Sequence, residues 1–148
     1  MKPFLDAGFL LTLLLRTSGS PAAWVITRQL DGPLWLASLQ IFNIENRLQR
    51  QIEGNDSTPA ERKLAAASLQ RFRWLLTEQV FEAVPLNYES AIQLAQKWQR
   101  GATTTLPALL LLWPALAVTS SATHFLSFDP RTRLLAKASG LQLLPEFL

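Results

Sequence analysis

Short apolar segments alternate with longer amphipathic segments along the chain, which predicts strands separated by helices. Strands are predicted at Lys2–Asp6, Leu34–Ala37, Phe81–Leu86, Thr123–Asp129 and Leu141–Leu144. Between them the apolar spacing is helical, as in Tyr88–Arg100, where Ala91, Ala95 and Trp98 share one face. Because strands alternating with such helices are typical of a parallel sheet, we expect a single α/β domain over residues 1–148. It should be a three-layer sandwich whose central parallel sheet has four or five strands, with the first strand central.

Two segments are apolar enough to suggest export or membrane insertion. In Met1–Leu15, Asp6 interrupts the apolar stretch and Arg16 follows it, whereas a signal peptide has an uninterrupted apolar region. The densest apolar run, Leu106–Val118, has 13 residues, and a spanning helix needs about 20. We therefore expect a buried helix at Leu106–Val118, a cytoplasmic location and no membrane partner.

Composition limits the chemistry that the chain can carry. It has no cysteine and one histidine, which excludes disulfides, zinc–thiolate sites, a cysteine nucleophile and any two-histidine metal site. The net charge of +3 permits contact with a polyanion. Basic residues that could touch phosphates lie on two predicted helices: Arg47, Arg50, Arg62, Lys63, Arg71 and Arg73. The alternative is a solvated helix face, which is the more common reason for basic residues on helices.

Two aspartates stand at the ends of predicted strands. Asp6 closes the first strand and Asp129 closes the fourth. Since ligands bind beyond the carboxyl ends of parallel strands, both are candidate ligands of Mg²⁺ or Mn²⁺, which prefer oxygen donors. The alternative is that each aspartate only caps the helix that follows it. Arg131 and Arg133 come soon after Asp129 and are candidates to neutralise it or to bind phosphate.

Three segments resemble parts of PIN domains related to the ribonuclease toxins of bacterial toxin–antitoxin pairs. Phe4–Leu11 is similar to the family's opening, with an acidic residue just before a buried helix, and Pro33–Leu48 to its middle strand and helix. Thr123–Leu141 is similar to its close, where a hydrophobic strand ends in Ser-Phe-Asp and a helix, a glycine and a last strand follow. The resemblance implies a single-strand ribonuclease fold with three or four acidic residues that bind Mg²⁺ or Mn²⁺. It also implies an antitoxin partner, single-stranded RNA as substrate, and a homodimer.

The acidic cluster of that family is only partly matched. Asp6 matches the first acid, Asp129 the fourth, and Ser127 the hydroxyl residue two positions before the last acid. The position of the second acid holds Asn43, and Glu45 lies about 200° further round the helix, so it is expected to point away. We expect the Asp6 and Asp129 carboxylates to approach within about 8 Å, with like-charge repulsion raising one pKa.

The third acid of the family has no counterpart. An alignment without gaps places Leu110 at its position, and one with three inserted residues places Pro107 there. No acidic residue lies between Glu89 and Asp129, so no alignment restores this ligand. The expectation is therefore an eroded metal site that binds Mg²⁺ or Mn²⁺ weakly, in a weak or inactive nuclease that acts as a binding or interaction module. The alternative is an active metal-dependent endoribonuclease in which Asp6 and Asp129 are catalytic.

Overall fold

The structure is a computed structural model that describes residues 1–102 and 105–147. In chain order its elements are β1 (Pro3–Leu5), α1 (Ala7–Leu14), α2 (Ser20–Arg28), β2 (Leu34–Leu36), α3 (Ser38–Glu53), α4 (Pro59–Thr77), β3 (Phe81–Ala83), α5 (Tyr88–Gly101), α6 (Ala108–Thr119), β4 (His124–Leu126), α7 (Pro130–Ala138) and β5 (Gln142–Leu144). The predicted alternation of strands and helices is confirmed, and each of the five predicted strands is present in shorter form.

Within those described ranges the strands form one parallel sheet in the order β3-β2-β1-β4-β5. β1 is central, as predicted, and pairs with β2 and β4. Its register sets Phe4 opposite Trp35 on β2 and Leu5 opposite Leu126 on β4. The chain builds one half of the sheet outward from β1 to β3 and then returns to add β4 and β5 on the other side. The direction of winding therefore reverses between β1 and β4.

Two apolar cores lie on opposite faces of the sheet because side chains alternate along each strand. Leu5 and Leu126 point into a core with α1 to α4, whereas Phe4 and Phe125 point into a core with α5 to α7. All four side chains have no measurable exposure. This arrangement confirms the expected three-layer sandwich.

Polar side chains determine where several elements end. Thr58 caps α4 by accepting from the Glu61 amide at 3.2 Å, while the Glu61 carboxylate accepts from the Thr58 amide at 2.7 Å. Ser38 does not cap α3, because it is already the first helical residue. Instead the buried Gln40 reaches back and accepts from the Ala37 amide at 2.7 Å.

The apolar run forms α6, which begins at Ala108, directly after Pro107, rather than at Leu106. The described part of α6 is buried from Trp113 to Ala117, whereas Leu109 in its first turn is 47% exposed. Among the described residues, no helix is both long and apolar enough to cross a membrane.

Candidate functional site at the carboxyl edge of the sheet

The reversal in winding lies between β1 and β4, whose carboxyl ends are at the same edge of the sheet. In open parallel sheets this position is the usual ligand site. Asp6 follows β1 directly, and its amide donates to the Leu126 carbonyl of β4 at 3.0 Å. Ser127 and Asp129 follow β4. The sheet therefore brings Asp6, Ser127 and Asp129 to one edge.

Asp6 is a buried N-cap with 3% of its surface exposed. Its Oδ1 accepts from the Phe9 amide at 2.6 Å, and its Oδ2 accepts from the Ser127 hydroxyl. Burial raises the pKa of Asp6 to about 6, and the Asp129 charge adds a smaller upward contribution. The hydrogen bonds from Ser127 and Phe9 lower the pKa but do not cancel the effect of burial.

A chain of hydroxyl groups joins Asp6 to the backbone of Asp129. The Ser127 Oγ accepts from the Asp129 amide at 3.0 Å and lies 2.9 Å from the Thr132 Oγ1. The Thr132 hydroxyl in turn donates to the Asp129 carbonyl at 3.1 Å. Ser127 and Thr132 are both fully buried. Because each member has a partner inside the protein, the network holds the two strand ends in a defined relation.

Asp129 caps α7 and forms an ion pair with Arg131. Its Oδ1 accepts from the Arg131 amide at 2.8 Å and from the Arg131 Nε at 3.1 Å, and its Oδ2 accepts from an Arg131 Nη at 2.7 Å. The Arg131 hydrogen bond holds the pKa of Asp129 below its usual range. The two aspartates thus have opposite pKa shifts, one upward from burial and one downward from a neighbouring guanidinium.

Only one of the two arginines after Asp129 contacts its carboxylate. Arg131 neutralises Asp129, as one of the expected roles required. Arg133 points elsewhere: it is buried, and it donates to the Ser127 carbonyl at 2.9 Å and to the Pro145 carbonyl at 2.6 Å. It therefore ties the end of β4 to the segment after β5, and its donors are used within the protein.

The donor set does not fit a tightly held divalent cation. Each of the four carboxylate oxygens of Asp6 and Asp129 already accepts a hydrogen bond, and Asp129 has a guanidinium as its partner. Across residues 1–102 and 105–147, no group of three or more histidine, cysteine, aspartate or glutamate residues could hold a metal ion. Mg²⁺ usually takes one or two carboxylates together with substrate phosphates. Here Asp6 is buried, and a cation beside Asp129 would lie next to the positive charge of Arg131.

A cleft of about 900 Å³ opens beside Ala7, the residue after Asp6. One wall is the polar face of α3, with Asn43, Arg47 and Arg50, and α6 contributes Trp113 to the opposite side. The remaining lining residues come from α1, α3, α6 and the loop after α3: Leu11, Ile44, Asn46, Gln51, Glu53, Gly54, Asp56, Ser57 and Leu109. The cleft therefore offers a polar surface beside the start of α1, with two arginines and two acidic residues in its lining.

The residues at the positions expected for the second and third acids are Asn43, Glu45, Leu110 and Pro107, and of these four Asn43 alone lines the cleft. The Glu45 carboxylate accepts from the Arg73 Nε of α4 at 3.1 Å. Leu110 is half-buried in the first part of α6, and Pro107 is the N-cap of that helix. None of the four supplies a carboxylate to Asp6 and Asp129.

Sequence reasoning missed Gln40 and Thr132. The Gln40 side chain is fully buried and donates to the Leu5 carbonyl at 2.6 Å, so it fixes α3 against the end of β1. Thr132 completes the hydroxyl chain between the aspartates. Glutamine three residues after an N-cap is a known capping signal that could have indicated Gln40. Thr132 has no comparable signal, because its partner is set by the meeting of β4 and α7.

No protein-family model matches this chain, and no curated protein matches it either.

Proposed function

We propose that this chain is a PIN-like domain with an eroded acidic cluster, which acts as a metal-independent binding module for single-stranded RNA. The observation that carries the proposal is the engagement of both carboxylates within the protein: Asp6 is buried and hydrogen-bonded, and Asp129 is paired with Arg131. A nuclease of this kind needs carboxylates free to concentrate negative charge around a metal ion. Here one carboxyl group is buried with a raised pKa, and the other is neutralised by Arg131.

The cleft beside Ala7 supports the choice of an anionic ligand. Arg47 and Arg50 are exposed, lie three positions apart on α3, and therefore share one side of the helix. Within the part of the chain that the structure describes, neither forms an ion pair. Asn43 and Asn46 on the same wall add neutral donors and acceptors. Arginines with amide neighbours are suited to the phosphates and base edges of an extended single strand.

The nuclease part of the proposal is tested by cleavage of a fluorescently labelled, mixed-sequence single-stranded RNA. Wild type and Asp129→Asn are compared in Mn²⁺, in Mg²⁺ and in EDTA. We expect negligible cleavage by both proteins under every condition, because the second and third carboxylates are missing, Asp6 is buried and Asp129 is paired with Arg131. Cleavage by wild type in Mn²⁺ that disappears in Asp129→Asn would establish an active nuclease instead.

The binding part is tested by fluorescence anisotropy with the same RNA in EDTA at several salt concentrations. The variant Arg47→Gln/Arg50→Gln should bind more weakly, and the slope of log K against log salt should fall by about 1.4 for two lost phosphate contacts. The matched control Arg28→Gln/Lys137→Gln removes the same charge from α2 and α7 and should bind like wild type. Equal losses in both double variants, or no RNA binding by wild type, would contradict the proposal.

One observation favours the active nuclease as a second candidate. The Ser127 hydroxyl contacts both the Asp6 carboxylate and the Asp129 amide, so the two aspartates lie at the same edge of the sheet, where a metal-dependent nuclease would need them. The cleavage assay decides between the two candidates, because only the nuclease depends on both Mn²⁺ and the Asp129 carboxylate.

A further inference from the structure

We infer that Arg131 is the built-in counter-ion of Asp129 and keeps divalent cations away from the sheet edge where Asp6, Ser127 and Asp129 lie. The inference deepens the proposed function and rests on it for the location of the ligand-binding edge. It assigns to one residue the reason why the acidic pair does not work as a metal site. It also turns the local surface from one that attracts cations into one that a phosphate backbone can approach.

The geometry of the pair is that of a fixed clamp. Arg131 offers two guanidinium nitrogens to two oxygens of one carboxylate, at 3.1 Å and 2.7 Å, and this forked geometry is stronger and more directional than a single contact. The backbone amide of Arg131 holds the same Oδ1 at 2.8 Å. All three donors belong to Arg131, and their acceptor, Asp129, is the N-cap of the helix α7 that contains Arg131. The ion pair therefore forms between residues only two positions apart in the sequence.

The Asp6 carboxylate cannot replace Asp129 as a metal ligand, because it is buried and hydrogen-bonded within the protein. Asp6 Oδ1 is bound to the Phe9 amide, and its Oδ2 is bound to the Ser127 hydroxyl, which also accepts from the Asp129 amide. A cation that approached Asp129 would therefore lie next to the Arg131 guanidinium and be repelled by its positive charge. Part of this clamp is open to solvent, since the Arg131 side chain is 52% exposed and that of Asp129 is 23% exposed. Arg131 can thus be replaced without opening the core.

The test is Mn²⁺ binding to the full chain without RNA, measured by electron paramagnetic resonance of free Mn²⁺ at low salt and about pH 7.5. Arg131→Gln should bind Mn²⁺ about fivefold more tightly than wild type, which is the upper range for loss of one exposed ion pair. Lys137→Gln is the matched control, because it removes the same charge from α7 without touching Asp129. It should bind Mn²⁺ like wild type. Thermal melting by circular dichroism verifies that each variant is folded.

The double variant Arg131→Gln/Asp129→Asn identifies the ligand. The gain in Mn²⁺ affinity should disappear, because the carboxylate released by the first substitution is removed by the second. The inference is overturned if Arg131→Gln and wild type bind Mn²⁺ equally, if Lys137→Gln gains as much affinity, or if the double variant keeps the gain. Because no RNA is present, failure of this experiment is separate from failure of the RNA-binding proposal.

Discussion

Replacing Asp6 with asparagine removes one ionisable group from the interior while leaving each of its hydrogen bonds a substitute. The asparagine Oδ1 can accept from the Phe9 amide, since asparagine is among the best N-cap residues. Its Nδ2 can donate to the Ser127 hydroxyl, which then turns its own proton to the Thr132 Oγ1, 2.9 Å away. The substitution therefore isolates the cost of the buried charge.

The sign of the effect follows from the raised pKa of Asp6. The pKa is about 6 in the folded protein against an ordinary value of 3.8, so the folded state holds the proton more tightly than the unfolded state. The stabilisation from this group is fully present below about pH 4 and is lost as the pH rises through about 6. At 1.36 kcal/mol per pKa unit, the difference corresponds to about 3 kcal/mol. Relative to wild type, Asp6→Asn should therefore gain about 3 kcal/mol of unfolding free energy between about pH 4 and pH 8.

Urea unfolding of both proteins at steps between about pH 4 and pH 8 measures this difference directly. Asp129→Asn is the control, because the pKa of Asp129 is lowered and its removal should act in the opposite direction, at lower pH. A constant difference between Asp6→Asn and wild type across the pH range would refute the reasoning, since it would mean that Asp6 has an ordinary pKa.

Three further substitutions test the core and the site. Phe9→Ala should lower the free energy of unfolding by about 3–5 kcal/mol and Tm by about 10 °C, because Phe9 is fully buried and its ring stacks on that of Phe128 with centroids 4.8 Å apart. The control Phe42→Ala, at a position 64% exposed, should change stability by less than about 0.5 kcal/mol. Equal effects of the two substitutions in thermal melting would contradict the placement of the core. Gln40→Leu should cost about 2 kcal/mol or more in urea unfolding, since it leaves the buried Leu5 carbonyl without its partner, and an unchanged midpoint would argue against that bond. Ser127→Ala should lower the free energy of unfolding by about 1–3 kcal/mol, and it should raise the pKa of the Asp6 carboxyl further because the Ser127 hydrogen bond lowers that pKa. Carbon NMR of the Asp6 carboxyl measures the pKa, and a lower value in the variant would contradict the network.

The order of strands and helices was predictable because period-two alternation and helical spacing are local properties of the chain. Phe4 and Leu5 are neighbours in sequence and enter different cores, as alternation requires. The residues at which the strands end were harder to predict from the sequence. Thr123–Asp129 was predicted as one strand, but β4 ends at Leu126 because Ser127 and Asp129 turn to hydrogen-bond with each other and with α7. A polar side chain at a strand end can continue the strand or cap a helix, and local pattern does not distinguish the two.

The candidate site was partly predictable for a similar reason. Asp6 and Asp129 could be placed at one edge because the carboxyl ends of parallel strands lie together. The role of Arg131 was within reach, since it lies two residues from Asp129. The role of Arg133 was not, because its acceptors include the Pro145 carbonyl, which only the pairing of β4 with β5 brings near. The raised pKa of Asp6 likewise depends on burial, and burial follows from the packing of all three layers.

The central position of β1 has a consequence for folding on the ribosome. β1, β2 and β3 are complete by residue 83, whereas β4, the other neighbour of β1, is complete only at residue 126. At about 5–20 residues per second, the intervening segment takes about 2–9 s to synthesise. Throughout that interval Phe4 and Leu5 lie on an unpaired strand edge that could join another nascent chain. Lys2 precedes β1 and Pro3 is its first residue, and their charge and missing amide discourage such pairing until β4 is added.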